Sequence, residues 1–120
     1  MVKSATRTER SRCAPDRGDV VSLQFTPQCG REQAGRRPAL VLSPRSYNAK
    51  VGLAILCPIT SHTKGYPFEV TLPRGLKTQG VVLADHVKSL DWHMRGARII
   101  ERVPPSVLAE ILAKLSLLLG

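Results

Sequence analysis

Short apolar stretches closed by glycine or proline run through most of this sequence, and only its last part keeps a helical period. That contrast constrains the fold more than any other feature. Val21, Leu23 and Phe25 alternate with Ser22 and Gln24, the pattern of a half-buried strand. Ala39-Leu40-Val41-Leu42, ended by Ser43-Pro44, suits a buried strand, and Gly52 to Ile59 a third, with Pro58 expected at an edge or strand end. Phe68 to Leu72, Gly80 to Ala84 and Ala97 to Arg102 continue the series. Pro44 to Asn48 reads as one helical turn with Ser43 as its N-cap, and Asp85 to Trp92 as another short turn. The end differs. Val107, Leu108, Ile111, Leu112, Leu115, Leu118 and Leu119 follow helical spacing, with Glu110 and Lys114 paired on the other face. This predicts one amphipathic helix, of about fifteen residues, covering one end or face of the sheet. Roughly five or six short strands and a terminal helix make a mostly β fold, a small antiparallel barrel. No repeat and no glycine-rich phosphate loop is visible.

The chain has 120 residues, which suits one domain. Residues 1–17 are basic and lack an apolar period, so they read as a mobile tail ahead of a single domain over 18–120. The net charge is +9, which argues for a polyanionic partner, a nucleic acid or an acidic protein. Only Phe25, Phe68, Tyr47, Tyr66 and Trp92 are aromatic, too few for a binder built on many stacked bases. Cys13, Cys29 and Cys57 are odd in number and widely spaced, which points away from a zinc site or a disulfide framework and toward a reducing cytoplasm. No run is long and apolar enough for a membrane span, and the polar start lacks the apolar core of a secretion signal.

His62, His86 and His93 form no metal-binding or catalytic spacing, and the acidic residues are spread along the chain, so a metal-free reaction and no cofactor are expected. The most informative stretch is Arg31 to Pro44, where a charged loop feeds an apolar strand. Arg37 stands at the join, and Pro38 biases it toward an extended conformation. A guanidinium held there suits a phosphate. Three polar loops, Cys29–Arg37, Thr60–Gly65 and Asp85–Gly96, border strands. If the fold brings them together, Arg37, Lys64, Lys88 and Arg95 make one basic groove for a single-stranded nucleic acid.

Three stretches carry a resemblance. They are Gly30-x-Glu32-Gln33-x-Gly35-x-Arg37-Pro38-Ala39-x-Val41-Leu42-Ser43, Thr63-Lys64-Gly65-Tyr66-Pro67-Phe68-Glu69-Val70, and Gly80-Val81-Val82-Leu83-Ala84-Asp85-x-Val87-Lys88-Ser89. In order and spacing, over about residues 16 to 120, the chain resembles the MazF/PemK family of toxin endoribonucleases, closest to the MazF branch. The resemblance implies an SH3-like barrel with a C-terminal α-helix, working as a homodimer. It implies a toxin–antitoxin system in which an acidic, MazE-like antitoxin blocks the substrate groove. The implied activity is ribosome- and metal-independent cleavage of single-stranded mRNA at ACA-containing sites, giving 2′,3′-cyclic phosphate and 5′-hydroxyl ends. The family's key arginine falls on Arg37, its key threonine on Thr60 and its loop glutamate on Glu32. Gln33, Asn48, Lys64, His86, Lys88 and Arg95 complete the expected RNA-binding set. Arg36 doubles the arginine before the proline, and His86 stands where relatives often carry a base-contacting glutamine.

Metal-free RNA cleavage uses the substrate's own 2′-hydroxyl, attacking phosphorus in line. It needs a proton acceptor, a proton donor and positive charge for the phosphorane. Arg37 supplies charge and a bidentate fork. Glu32 is the more natural base by its ordinary pKa, whereas the family gives proton transfer to the arginine, and both assignments stay open here. Thr60 can hydrogen-bond a phosphate oxygen. The alternative is a non-catalytic RNA- or DNA-binding barrel that acts by sequestration.

Overall fold

The apolar run after Gly52 becomes the strand that the sheet is built on. A computed structural model describes residues 14–25 and 35–120. The elements, in chain order, are β1 (Asp19–Gln24), β2 (Arg36–Val41), α1 (Arg45–Val51), β3 (Ala54–Thr60), β4 (Glu69–Thr71), β5 (Val81–Leu83), β6 (Lys88–Leu90), β7 (Arg98–Arg102) and α2 (Pro105–Leu119). Among the described residues the strand pairings are antiparallel, in the order β4-β5-β3-β2-β1-β7, with β6 also on β3. β3 holds β2 on one side and, on the other, β6 at Ala54 to Leu56 and β5 at Ile59 and Thr60. Pro58 therefore lies inside a central strand rather than at an edge. It sits between the β6 and β5 pairings, where no partner on that side uses its missing N–H.

Both faces of β2 and β3 are covered, which explains why Ala39 to Leu42 is apolar without alternation. Val20, Leu40, Cys57, Ile59, Val70 and Val82 pack on one face beneath Val107 and Ile111 of α2. Val21, Leu23, Ala39, Val41, Ala54 and Leu56 pack on the other against Trp92 and Ala49 of α1. Burial of this order, about 25 cal/mol per Å2 of apolar surface, is the main force holding so small a sheet.

Several expectations are revised. The sheet is not closed into a full barrel: among the described residues β4 and β7 are its two ends. Asp85 to Trp92 contains the short strand β6 instead of a helical turn, because Lys88 to Leu90 completes the free side of β3. Pro44, not Ser43, is the N-cap of α1. The Ser43 hydroxyl instead donates to Asn48 Oδ1 at 2.6 Å and accepts the Ile55 N–H at 2.8 Å. Lys114 donates to the Pro67 carbonyl at 2.6 Å rather than pairing with Glu110. Residues 14–17 belong to the domain: Ala14 is buried, and Arg17 Nε donates to the Leu42 carbonyl at 2.7 Å. Among the described residues no helix is long and apolar enough to cross a membrane.

Candidate active site

Strand register puts Arg37 and Thr60 on one face of the sheet, each two residues beyond the Ala39–Pro58 pair. Arg37 pairs with Leu23 of β1, and Ala39 pairs with Pro58 of β3. Continued by two residues along both strands, the β2–β3 register sets Arg37 against Thr60 on the same face of the sheet. Arg37 is exposed and Thr60 is half-buried. Arg36 takes the opposite side of the pleat. Its Nη2 donates to the carbonyls of Ser22 and Gly96, both at 2.7 Å, and its Nε to Ser22 Oγ at 3.1 Å. One arginine of the pair thus braces β1 and the turn before β7, and the other is exposed on the face that carries Thr60.

Thr60 also lines a pocket of about 420 Å3 with His62, Lys64, Tyr66, Glu69, Leu83, Asp85 and His86. Its Oγ1 accepts the His62 N–H at 3.1 Å, which leaves the hydroxyl hydrogen for an outside acceptor. Gly80 backs it directly. Its φ is +117°, and a Cβ there would land on the Thr60 carbonyl oxygen, so only glycine lets β5 approach.

The loop after Thr60 is organised by Glu69. Its carboxylate accepts from the Thr63 hydroxyl at 2.8 Å and from the N–H groups of Lys64 and Gly65 at 2.8 and 2.9 Å. The Lys64 N–H, then the Thr63 hydroxyl, hold this carboxyl below its ordinary value of 4.5. Across the pocket the Tyr66 hydroxyl donates to Asp85 Oδ1 at 2.8 Å, and His86 Nε2 lies 3.8 Å from the same oxygen. Desolvation, then the Asp85 carboxylate, push the Tyr66 phenol up to about 12, so it remains a donor at neutral pH.

The expected residues separate into groups. Thr60, Lys64 and His86 share the pocket, and Arg37 lies outside its lining, on the sheet face that carries Thr60. Lys88 is exposed on β6 opposite Leu56, on the same face as Pro58 and Thr60. Arg95 is used locally: its Nη1 donates to the carbonyls of Gln24 and Phe25 at 3.1 and 2.9 Å, bracing the end of β1. Asn48 is a correction. It is fully buried, and its amide donates to the carbonyls of Pro15 and Ser43, both at 2.9 Å, so it has a structural job and no access to RNA. Glu32 and Gln33 lie outside the described residues. So do Cys13 and Cys29, while Cys57 is a free thiol that burial pushes up to about 12. Sequence reasoning did not single out Tyr66 and Asp85 as site residues, although both lie inside the quoted motifs and the signal was there.

Residues 16–119 match the family model described as PemK-like, MazF-like toxin of type II toxin–antitoxin system. The chain is 50% identical over 110 residues to the endoribonuclease toxin MazF of Escherichia coli K12, covering 92% of this chain and 98% of that one. It is also similar to a crystal structure of MazF from Deinococcus radiodurans, with a TM-score of 0.80 and 60% identity over 88% of this chain and 96% of that one. A MazE–MazF crystal structure from the same organism matches with a TM-score of 0.82 and 58% identity over the same shares, 88% and 96%.

Proposed function

The chain belongs to the family of PemK-like, MazF-like toxins of type II toxin–antitoxin systems and is an endoribonuclease of that kind, and on that footing we propose that it cleaves single-stranded mRNA in the cytoplasm at ACA-containing sites, without ribosome or metal. The substrate's 2′-hydroxyl attacks the adjacent phosphorus and the 5′-oxygen leaves, giving 2′,3′-cyclic phosphate and 5′-hydroxyl ends. Arg37 stabilises the charge that builds up on the phosphorane with two parallel hydrogen bonds. The Thr60 hydroxyl donates to a phosphate oxygen. Glu32 accepts the 2′-hydroxyl proton, Gln33 contacts RNA from the same loop, and Lys64, His86 and Lys88 hold the strand. The observation that supports the reading is that Thr60, on the sheet face that also carries Arg37, lines one pocket with Lys64 and His86.

The inhibitor in this reading is an acidic, MazE-like antitoxin, for which the charge of +9 supplies the attraction. The working form is a homodimer. Leu112, Leu117, Leu118 and Leu119 of α2 are exposed, as is Val87, and Leu112, Leu115, Leu119 and Val87 line an apolar groove of about 560 Å3 that a second copy would cover. The deciding experiment is a gel with a defined RNA in EDTA, followed by analysis of the fragment ends. Discrete fragments with cyclic phosphate ends are expected. Retention of RNA without cutting would favour the sequestering barrel instead.

A further inference from the structure

A groove that grips a polyanion has reason to exclude carboxylates, yet two line this pocket, Glu69 and Asp85. Glu69 is accounted for by three hydrogen bonds that shape its own loop. Asp85 is not. Its Oδ1 takes the Tyr66 hydroxyl at 2.8 Å, and no described residue donates to its Oδ2. Facing a phosphate, that oxygen would repel the substrate. Facing a base edge, it is an acceptor that only a donor-bearing base satisfies.

We propose, resting on the endoribonuclease reading above, that Asp85 is a specificity-determining residue that accepts a hydrogen bond from the exocyclic amino group of one RNA base, adenine or cytosine, and so rejects bases with a carbonyl at that place. Adenine N6 and cytosine N4 are donors, whereas uracil O4 and the six-position oxygen of guanine or hypoxanthine are acceptors. The pocket, about 420 Å3, has room for a nucleobase, and the half-buried Tyr66 ring beside Asp85 offers a stacking face. The Tyr66 hydroxyl holds the carboxylate from one side, which leaves Oδ2 for the ligand. Thr60, whose hydroxyl donates to a phosphate oxygen in the reading above, lines the same pocket, so the base read here belongs to a nucleotide next to the scissile phosphate. The remaining charged and titratable neighbours, Lys64, His62 and His86, suit the flanking phosphates.

The test measures kcat/KM on RNAs identical but for one base, in EDTA, with adenine replaced by hypoxanthine or cytosine by uracil at each place of the cleaved site. Wild-type protein should discriminate by about tenfold or more at one place, the scale of one base-edge hydrogen bond. Asp85→Asn keeps an oxygen for Tyr66 and adds an amide donor. It should lose that preference, accept the carbonyl base better, and leave the other places unchanged. Tyr66→Phe should weaken the preference without reversing it. If wild-type protein cuts RNA but Asp85→Asn slows every substrate equally, the inference is overturned and Asp85 merely supports Tyr66. If wild-type protein cuts no RNA at all, the endoribonuclease reading itself fails.

Discussion

At the scale of single residues the Arg36-Arg37 pair is the sharpest case, because the pleat gives adjacent identical side chains different work. Arg37→Ala should lower kcat roughly 10²-fold or more while RNA affinity falls much less, since in the proposed chemistry its charge matters most as the phosphorane forms. Arg37→Lys should recover activity only in part, lacking the bidentate fork. Arg36→Ala should leave the chemistry nearly intact but destabilise the fold by about 1–2 kcal/mol, because it strips hydrogen bonds from Ser22 and Gly96. Cleavage rate, RNA binding and thermal unfolding on the three variants separate these outcomes. A dead Arg36→Ala beside a normal Arg37→Ala would mean that the site is misassigned. Glu69 supplies a pH effect of definite sign. Its carboxyl is held below 4.5 in the folded chain, so it stabilises the loop in its charged form. That contribution is complete at neutral pH, fades as pH drops beneath 4.5, and is gone once pH passes below the folded-state value. The amides of Lys64 and Gly65 should lose hydrogen-exchange protection over that window, and Glu69→Gln should abolish the pH dependence.

At the scale of elements the weight falls on the contact between β5 and the end of β3. Thr60 pairs with Val81, and Gly80 lies directly behind its carbonyl. Gly80→Ala should destabilise the fold by about 1–3 kcal/mol, through an unfavourable positive φ and a forced shift of β5. The same shift should move Thr60 and lower kcat by tenfold or more, since small misplacements of reacting groups are costly. A variant that melts earlier but cuts at the normal rate would show that Thr60 is not placed by this contact. The length of α2 was legible because its apolar residues recur at helical spacing over four turns' worth of chain, and Pro105 opens the helix where a missing N–H costs nothing. β6 was not legible. Its three residues, Lys88 to Leu90, have no apolar period of their own and become a strand only because β3 offers them an unpaired edge.

At the scale of the whole molecule, the exposed leucines of α2 and the basic surface each lead to an expectation. Sedimentation at micromolar concentration should show a dimer, and Leu112→Lys should shift it toward monomer without unfolding, because Leu112 lies at the rim of the apolar groove rather than in the core. A monomer for the unaltered chain would remove the dimer from the proposal. Affinity for a non-cleavable RNA should fall with salt, with a log–log slope of about −0.7 per phosphate contacted. A flat response would count against an electrostatic groove.

The sequence by itself determined that the chain is mostly β with one terminal helix, and which stretches supply the candidate site, because apolar period and glycine or proline punctuation are local properties. The family resemblance picked out Arg37 inside one contiguous motif and Thr60 just ahead of another. Which residues of those motifs meet was decided only in three dimensions. Asn48 looked available in a polar turn, yet its amide is held by the nearby Ser43 carbonyl and by that of Pro15, more than thirty residues away. Pro58 looked like an edge residue, yet it occupies the gap between two partners of one strand. Asp85 and Tyr66 face each other because β4 and β5 pair, and nothing in their sequence separation says so. The physical reason is the same in each case: side-chain period is written along the chain, whereas register and burial are set by which strands find one another.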